Sequence, residues 1–118
     1  MAYKTIGRQN AQVSSLKVAN YQVLANDYII GIGTLTGTIT ITLPANPNIG
    51  DTYIIKDVNG TVCATTGSGT TTNGYIVIID PGSGITIDAF THTYFLLMDV
   101  PYQGIMLVAS SNKNWMII

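Results

Sequence analysis

Few side chains in this 118-residue chain are suited to covalent or acid–base chemistry. One histidine, His92, stands between Thr91 and Thr93 just ahead of an apolar run. Hydrolysis or group transfer needs a base held against a nucleophile and an orienting partner. Serines are available, but no Gly-Xaa-Ser-Xaa-Gly elbow would present one. His92 is therefore read as a strand-edge residue with a structural role. Cys63 is the only cysteine, which excludes an intrachain disulfide and a thiolate metal cage. Without a His/Asn signature it reads as the filler of a small apolar gap.

The acids are Asp27, Asp51, Asp57, Asp80, Asp88 and Asp99, and there is no glutamate. A glutamate-based glycosidase pair is thus excluded, and the aspartates fall at turn positions rather than as a facing pair. Asp80 and Asp88, with Ser83 between them, raise the question of calcium, which takes six to eight oxygen ligands. The spacing fits neither the EF-hand nor the nonapeptide β-roll, so the segment reads as a turn followed by a strand cap. Gly67-Ser68-Gly69 lacks the following Gly-Lys-Ser/Thr and the helix of a phosphate loop. Asn59-Gly60-Thr61 matches a glycosylation triplet, but no signal peptide is apparent and the match reads as accidental. No catalytic, cofactor or metal site is expected, and the chain does not read as an enzyme.

What must be positioned, then, is surface. Hydrophobic residues make up 47% of the chain and charged residues 9%, well below the roughly 25% of an average domain. That composition excludes disorder for most of the chain. No stretch approaches the ~18 uninterrupted apolar residues of a membrane helix. A net charge of −1 argues against nucleic acid as the main partner. The first twenty residues carry Lys4, Arg8 and Lys17 without an acid; the rest carries two lysines against six aspartates. Residues 1–20 read as an extended arm, with 21–118 as one domain.

Sixteen threonines, twelve glycines and the absence of glutamate are the vocabulary of strands and turns. Short strands are expected over 21–24, 28–32, 36–43, 52–58, 61–64, 75–79, 85–89, 94–98, 105–109 and 115–118, at the spacing of a sandwich or barrel. Within 36–43, Ile39, Ile41 and Leu43 point one way and Thr38, Thr40 and Thr42 the other. Asn59-Gly60 predicts a tight hairpin, and 65–74 a polar loop. The fold class expected is all-β: an antiparallel, jelly-roll-like β-sandwich with the N-terminal arm.

Four strands are apolar at successive positions: 75–79, 94–98, 105–109 and 115–118. Successive side chains point to opposite faces, so each such strand needs cover on both. The sandwich core covers one; a second copy of the chain is the economical cover for the other. Tyr94, Leu96, Met106, Val108, Trp115 and Ile117 are the residues expected at that seam.

Ile41-Thr42-Leu43-Pro44, then Gly50 to Asp57 (Gly-Asp-Thr-Tyr-Ile-Ile-Lys-Asp), then Asn59-Gly60 resemble a β-domain of tailed-phage virion proteins. Thr86-Ile87-Asp88 and the closing hairpin with Asn114-Trp115 to Ile118 match the later part of that pattern. The resemblance covers about residues 21–118. It implies a homotrimeric knob of the kind used in head fibres, capsid decoration and tail fibres. It also implies an N-terminal anchor to the particle, which suits Lys4, Arg8 and Lys17 against an acidic surface of a major capsid protein or other virion protein. With no shaft repeats in the chain, a decoration or head-fibre role in the virion, made in the host cytoplasm, is expected. The alternative is a receptor- or glycan-binding tail-fibre tip, with Thr66, Ser68, Thr71 and Asn73 as the outer contact loop, and a host surface glycan as the partner.

Overall fold

The computed structural model describes residues 13–63, 74–89 and 96–118. Among these the chain is all-β, without a helix. Its strands are β1 (Tyr21–Gln22), β2 (Ile29–Ile32), β3 (Ile39–Thr42), β4 (Thr52–Asp57), β5 (Val77–Asp80), β6 (Thr86–Ile87), β7 (Leu96–Met98), β8 (Gly104–Ser111) and β9 (Asn114–Ile117). They form a five-stranded sheet of order β2-β4-β8-β9-β6 and a four-stranded sheet of order β1-β3-β5-β7.

The sheets are mixed, which corrects the antiparallel expectation. Pairs β1–β3, β3–β5, β2–β4 and β6–β9 are parallel; β4–β8, β8–β9 and β5–β7 are antiparallel. The cause is the path of the chain. Among the described strands, every connection but the last crosses from one sheet to the other. From β1 to β3, β3 to β5 and β2 to β4 the chain reaches its in-sheet neighbour after an excursion through the opposite sheet and returns running the same way, whereas from β5 to β7 it returns reversed. Parallel pairing needs such a long crossover; in α/β folds a helix provides it, and here a strand does. The one in-sheet connection, at Asn112–Lys113, joins β8 to β9 as the expected hairpin, with a bulge between Asn114 and Trp115.

Alternation places the core. In β3, Ile39 and Ile41 are buried while Thr40 and Thr42 are partly exposed, as the period of two predicts. In β4, Tyr53, Ile55 and Asp57 are buried and Thr52, Ile54 and Lys56 are not. One apolar cluster draws on both sheets, including Ile30, Ile55, Leu107 and Trp115 from the first and Ile41, Val77, Ile79 and Met98 from the second. That shared core is compatible with a β-sandwich. Trp115 is 0% exposed, its ring tilted against Tyr53 at 5.7 Å between centroids. Among the described residues its indole N–H finds no acceptor. Leaving that donor unpaired costs about 1–3 kcal/mol, but burying the ring, at roughly 25 cal/mol per Å² over ~200 Å², outweighs it.

The hairpin expected at Asn59-Gly60 does not form. Of the two residues only Gly60 is left-handed, at φ 72°. The chain does not fold back along β4; Thr61 instead crosses to residues 33–35, its Oγ1 accepting from the Leu35 N–H at 2.9 Å. The reason lies in Asp57, which is 0% exposed. Its Oδ1 accepts the Gly60 N–H at 3.1 Å, and its Oδ2 accepts the N–H groups of Val62 at 3.1 Å and Tyr102 at 2.9 Å. The carboxylate draws the backbone around itself, and a type I′ turn is incompatible with that path.

Replacing Asp57 with alanine leaves three backbone donors unpaired, that of Val62 buried and those of Gly60 and Tyr102 partly buried, at about 1–3 kcal/mol each. We expect the Asp57→Ala chain to lose at least ~3 kcal/mol of unfolding free energy, read from denaturant midpoints at unchanged slope. A loss within experimental error would show that the carboxylate does not hold these segments.

Candidate functional site

Strand parity builds a candidate surface, the outer side of the five-stranded sheet. β2 presents Ile29 and Gly31 there, β4 presents Thr52, Ile54 and Lys56, β8 presents Met106, Val108 and Ser110, and β9 presents Met116. Register joins them into rows. Ile29 lies beside Ile54, and Ile54 beside Met106. The Ile118 N–H donates to the Met106 carbonyl at 3.0 Å, which extends that row to the C-terminal residue, 70% exposed. Thr52, Val108 and Met116 form the adjacent row. Cross-strand neighbours on one face lie roughly 4.5–5.5 Å apart at Cβ, so the two rows make a continuous apolar band. At the β2 end, Leu16, Val58 and Val13 lie over Gly31, where a Cβ would stand 2.8, 3.2 and 3.4 Å from them. All three remain exposed on their far sides. Lys56, the charged residue of this face, donates its Nζ to the Tyr102 carbonyl.

The expected seam residues divide between two faces. Met106 and Val108 stand on the outer face, half-buried. Leu96 packs against the core, and Trp115 lies wholly within it. Ile117 shares the inward parity of Trp115 and lies at the sheet's rim. Trp115 therefore has no surface to offer another copy, and the outward residue of β9 is Met116. A continuous apolar run hides its own parity: the sequence shows that both faces are apolar without showing which one is inside. Ile54 carried no signal beyond its place in an alternating strand. Tyr94 lies outside the described residues, as do Thr66, Ser68, Thr71 and Asn73 of the expected contact loop and His92.

Lys4 and Arg8 also lie outside the described residues, while Lys17 is placed. Residues 13–18, expected in the arm, run along the free edge of β2. The N–H groups of Ser14 and Lys17 donate to the carbonyls of Ile29 and Gly31 at 2.9 and 2.8 Å, and the Gly33 N–H donates to the Lys17 carbonyl at 2.9 Å. This short strap pairs with backbone groups that the edge of a sheet would otherwise leave open. Lys17 Nζ sits 4.0 Å from the centroid of the Tyr21 ring. The Tyr21 hydroxyl in turn donates to Asp27 Oδ2 at 2.6 Å, which also accepts the Leu24 N–H at 2.8 Å. The bond to Asp27, with burial and the carboxylate's charge, pushes the Tyr21 phenol up to about 12. Tyr53 is also pushed up, by burial first and then by Asp51 and Asp27.

Three further carboxylates serve the backbone as well. Asp51 accepts the Asn48 N–H at 2.9 Å, Asp80 the Gly82 N–H at 2.8 Å and Asp88 the Ile117 N–H at 3.2 Å. Among the described residues no three His, Cys, Asp or Glu side chains group as a metal site would require. Cys63 is partly exposed, and its N–H donates to the Tyr75 carbonyl at 2.8 Å. No family model matches the chain, and no curated protein matches it.

The Tyr21–Asp27 bond has a pH signature. The neutral phenol is the form the fold favours, so its contribution is complete below the ordinary phenol range near pH 10. It is lost as pH rises through about 12, where the folded protein must release that proton. Tyr21→Phe is expected to flatten the fall in stability across this window and to remove a phenolate step near pH 12 from an absorbance titration. Superimposable titrations of the two proteins would contradict the assignment.

Proposed function

We propose that this chain is a structural, non-enzymatic subunit of a tailed-phage virion: a homotrimeric knob that decorates the capsid or forms a head fibre. The observation that carries the reading is the apolar outer face of the five-stranded sheet, with Ile54, Met106, Val108 and Met116 at its centre. Each ~40 Å² of such surface removed from water is worth roughly 1 kcal/mol. A second copy is the partner whose chemistry matches it. The ordered motifs Ile41 to Pro44, Gly50 to Asp57, Thr86 to Asp88 and Asn114 to Ile118 support the phage comparison. The knob is taken as a jelly-roll-like sandwich in which crossings between sheets replace some antiparallel pairs.

Assembly about a threefold axis sets the mechanism. A head-to-tail contact repeated three times closes a ring, and the three N-terminal segments leave it with the same polarity. Lys4, Arg8 and Lys17 of each copy then meet an acidic lattice together, so three weak attachments act as one firm one. The strap over β2 gives that segment a fixed point of departure at residue 13. A ligand that binds only the assembled lattice stabilises it, which is the mechanical use of a decoration protein.

A second reading, the receptor- or glycan-binding tip of a tail fibre, draws on Tyr102. This residue is 60% exposed, at φ 63°, with its ring lying over Gly60. A bulky residue in that region costs about 1–3 kcal/mol and is held by its surroundings. An aromatic plate fixed in this way suits the apolar face of a sugar.

Three times the chain mass is expected in dilute buffer, and Met106→Asp with Val108→Asp is expected to give folded monomers. A wild-type chain that stays monomeric would refute the assembly. Removing residues 1–12, which spares the strap, is expected to keep the oligomer and abolish capsid-wide labelling of virions. Tail-only labelling, together with glycan-array binding that Tyr102→Ala removes, would favour the second reading instead.

A further inference from the structure

Asn59-Gly60 is neither a hairpin nor part of the apolar face, yet with Asn73-Gly74 it is one of the chain's two Asn-Gly dipeptides, the pairing most prone to loss of ammonia. When asparagine precedes glycine, the glycine nitrogen can lose its proton and attack the asparagine side-chain carbon. An N–C bond forms, the carboxamide nitrogen leaves as ammonia, and a five-membered succinimide results. Water then opens either of its carbonyls and leaves aspartate or isoaspartate. Glycine permits this because no side chain blocks the approach.

Three contacts oppose each requirement of that reaction. The Gly60 N–H, whose proton must leave, donates to Asp57 Oδ1 at 3.1 Å, inside a fully buried carboxylate site. The carboxamide that must swing toward it is tethered, with Asn59 Nδ2 donating to Thr34 Oγ1 at 3.1 Å. Rotation of the Gly60 peptide is blocked by the Tyr102 ring, which occupies the place a Cβ would take. Asn59 itself is exposed, so water has access to the site whenever the contacts open.

We propose that Asn59-Gly60 is a latent succinimide site, held shut in the native fold by Asp57 and Thr34. The site responds to local opening: its rate of modification follows the fraction of time that the Gly60 N–H is off Asp57. The product acts back on the fold. A new carboxylate stands two residues from Asp57, and the isoaspartate form inserts a methylene into the backbone just before the Gly60 N–H. Both changes weaken the hold of Asp57 on Gly60 and Val62, so one event of modification favours further opening. This holds whether or not the chain belongs to a virion.

The test is peptide mapping of the full chain incubated in mildly alkaline buffer. It reads the mass gain of –NH2 exchanged for –OH at position 59 and the isoaspartate produced. A charge-assisted hydrogen bond of ordinary strength slows the folded chain by roughly tenfold or more relative to the same chain in denaturant. Thr34→Val, at an exposed position, is expected to raise the folded rate severalfold without moving the unfolding midpoint. Equal rates for the folded and denatured chains would overturn the proposal. A folded Thr34→Val chain that reacts no faster than wild type would overturn it as well.

Discussion

A carboxylate with no access to water must have its oxygens satisfied inside the protein, and Asp57 does so with the backbone of two separate segments. Its oxygens take the N–H groups of Gly60, Val62 and Tyr102, and its own N–H donates to the Gln103 carbonyl at 2.9 Å. These contacts fasten the end of β4 to the connection that leaves it and to the turn that feeds β8. β4 and β8 are also the antiparallel pair at the middle of the five-stranded sheet. The turn before β8 completes itself around Gln103, whose Oε1 accepts the N–H groups of Asp99 and Val100. Several features that look separate follow from this one residue. Tyr102 adopts a left-handed backbone because its N–H must reach Asp57, and Gly60 is required because the Tyr102 ring covers it.

The path of the chain is the second constraint. Crossing between sheets at nearly every connection turns sequence neighbours into spatial opposites, and sequence next-neighbours into pairing partners. Contacts are therefore largely non-local, as with Tyr21 beside Ile41, Ile39 beside Val77 and Tyr53 beside Leu107. Such a topology closes long loops before any pairing stabilises them, which is the feature that slows folding. Asp57 matters more in this setting, because it stabilises a junction that no tight hairpin secures.

The two sides of the five-stranded sheet have different physical roles. The inner side carries Tyr53, Leu107 and Trp115 into a single core shared with the other sheet. The outer side repeats the apolar chemistry with Ile54, Met106, Val108 and Met116 but leaves it partly open to solvent. A strap from residues 13–18 occupies the edge at β2 and carries Val13 and Leu16 over Gly31, so the outer band continues onto the N-terminal segment. The apolar band and the strap of residues 13–18 thus share one face.

Composition and period determined a good deal without coordinates. Threonine, glycine and aspartate in place of glutamate specify strands and turns. Alternation in Ile39 to Leu43 correctly assigns the inward side chains, because a half-buried strand writes its own parity. The aspartates read as turn residues, and five of them accept backbone N–H groups. Tertiary structure alone decided the rest. A wholly apolar run such as Trp115 to Ile118 has no polar marker to say which side faces water, so Trp115 entered the core and Met116 the surface. Strand direction was illegible for a related reason: alternation reports faces, whereas pairing depends on which sheet the chain enters next. The fate of Asn59-Gly60 lay furthest from the local sequence. Its hairpin preference is worth less than three hydrogen bonds to a buried carboxylate, one of whose donors comes from Tyr102, more than forty residues along the chain.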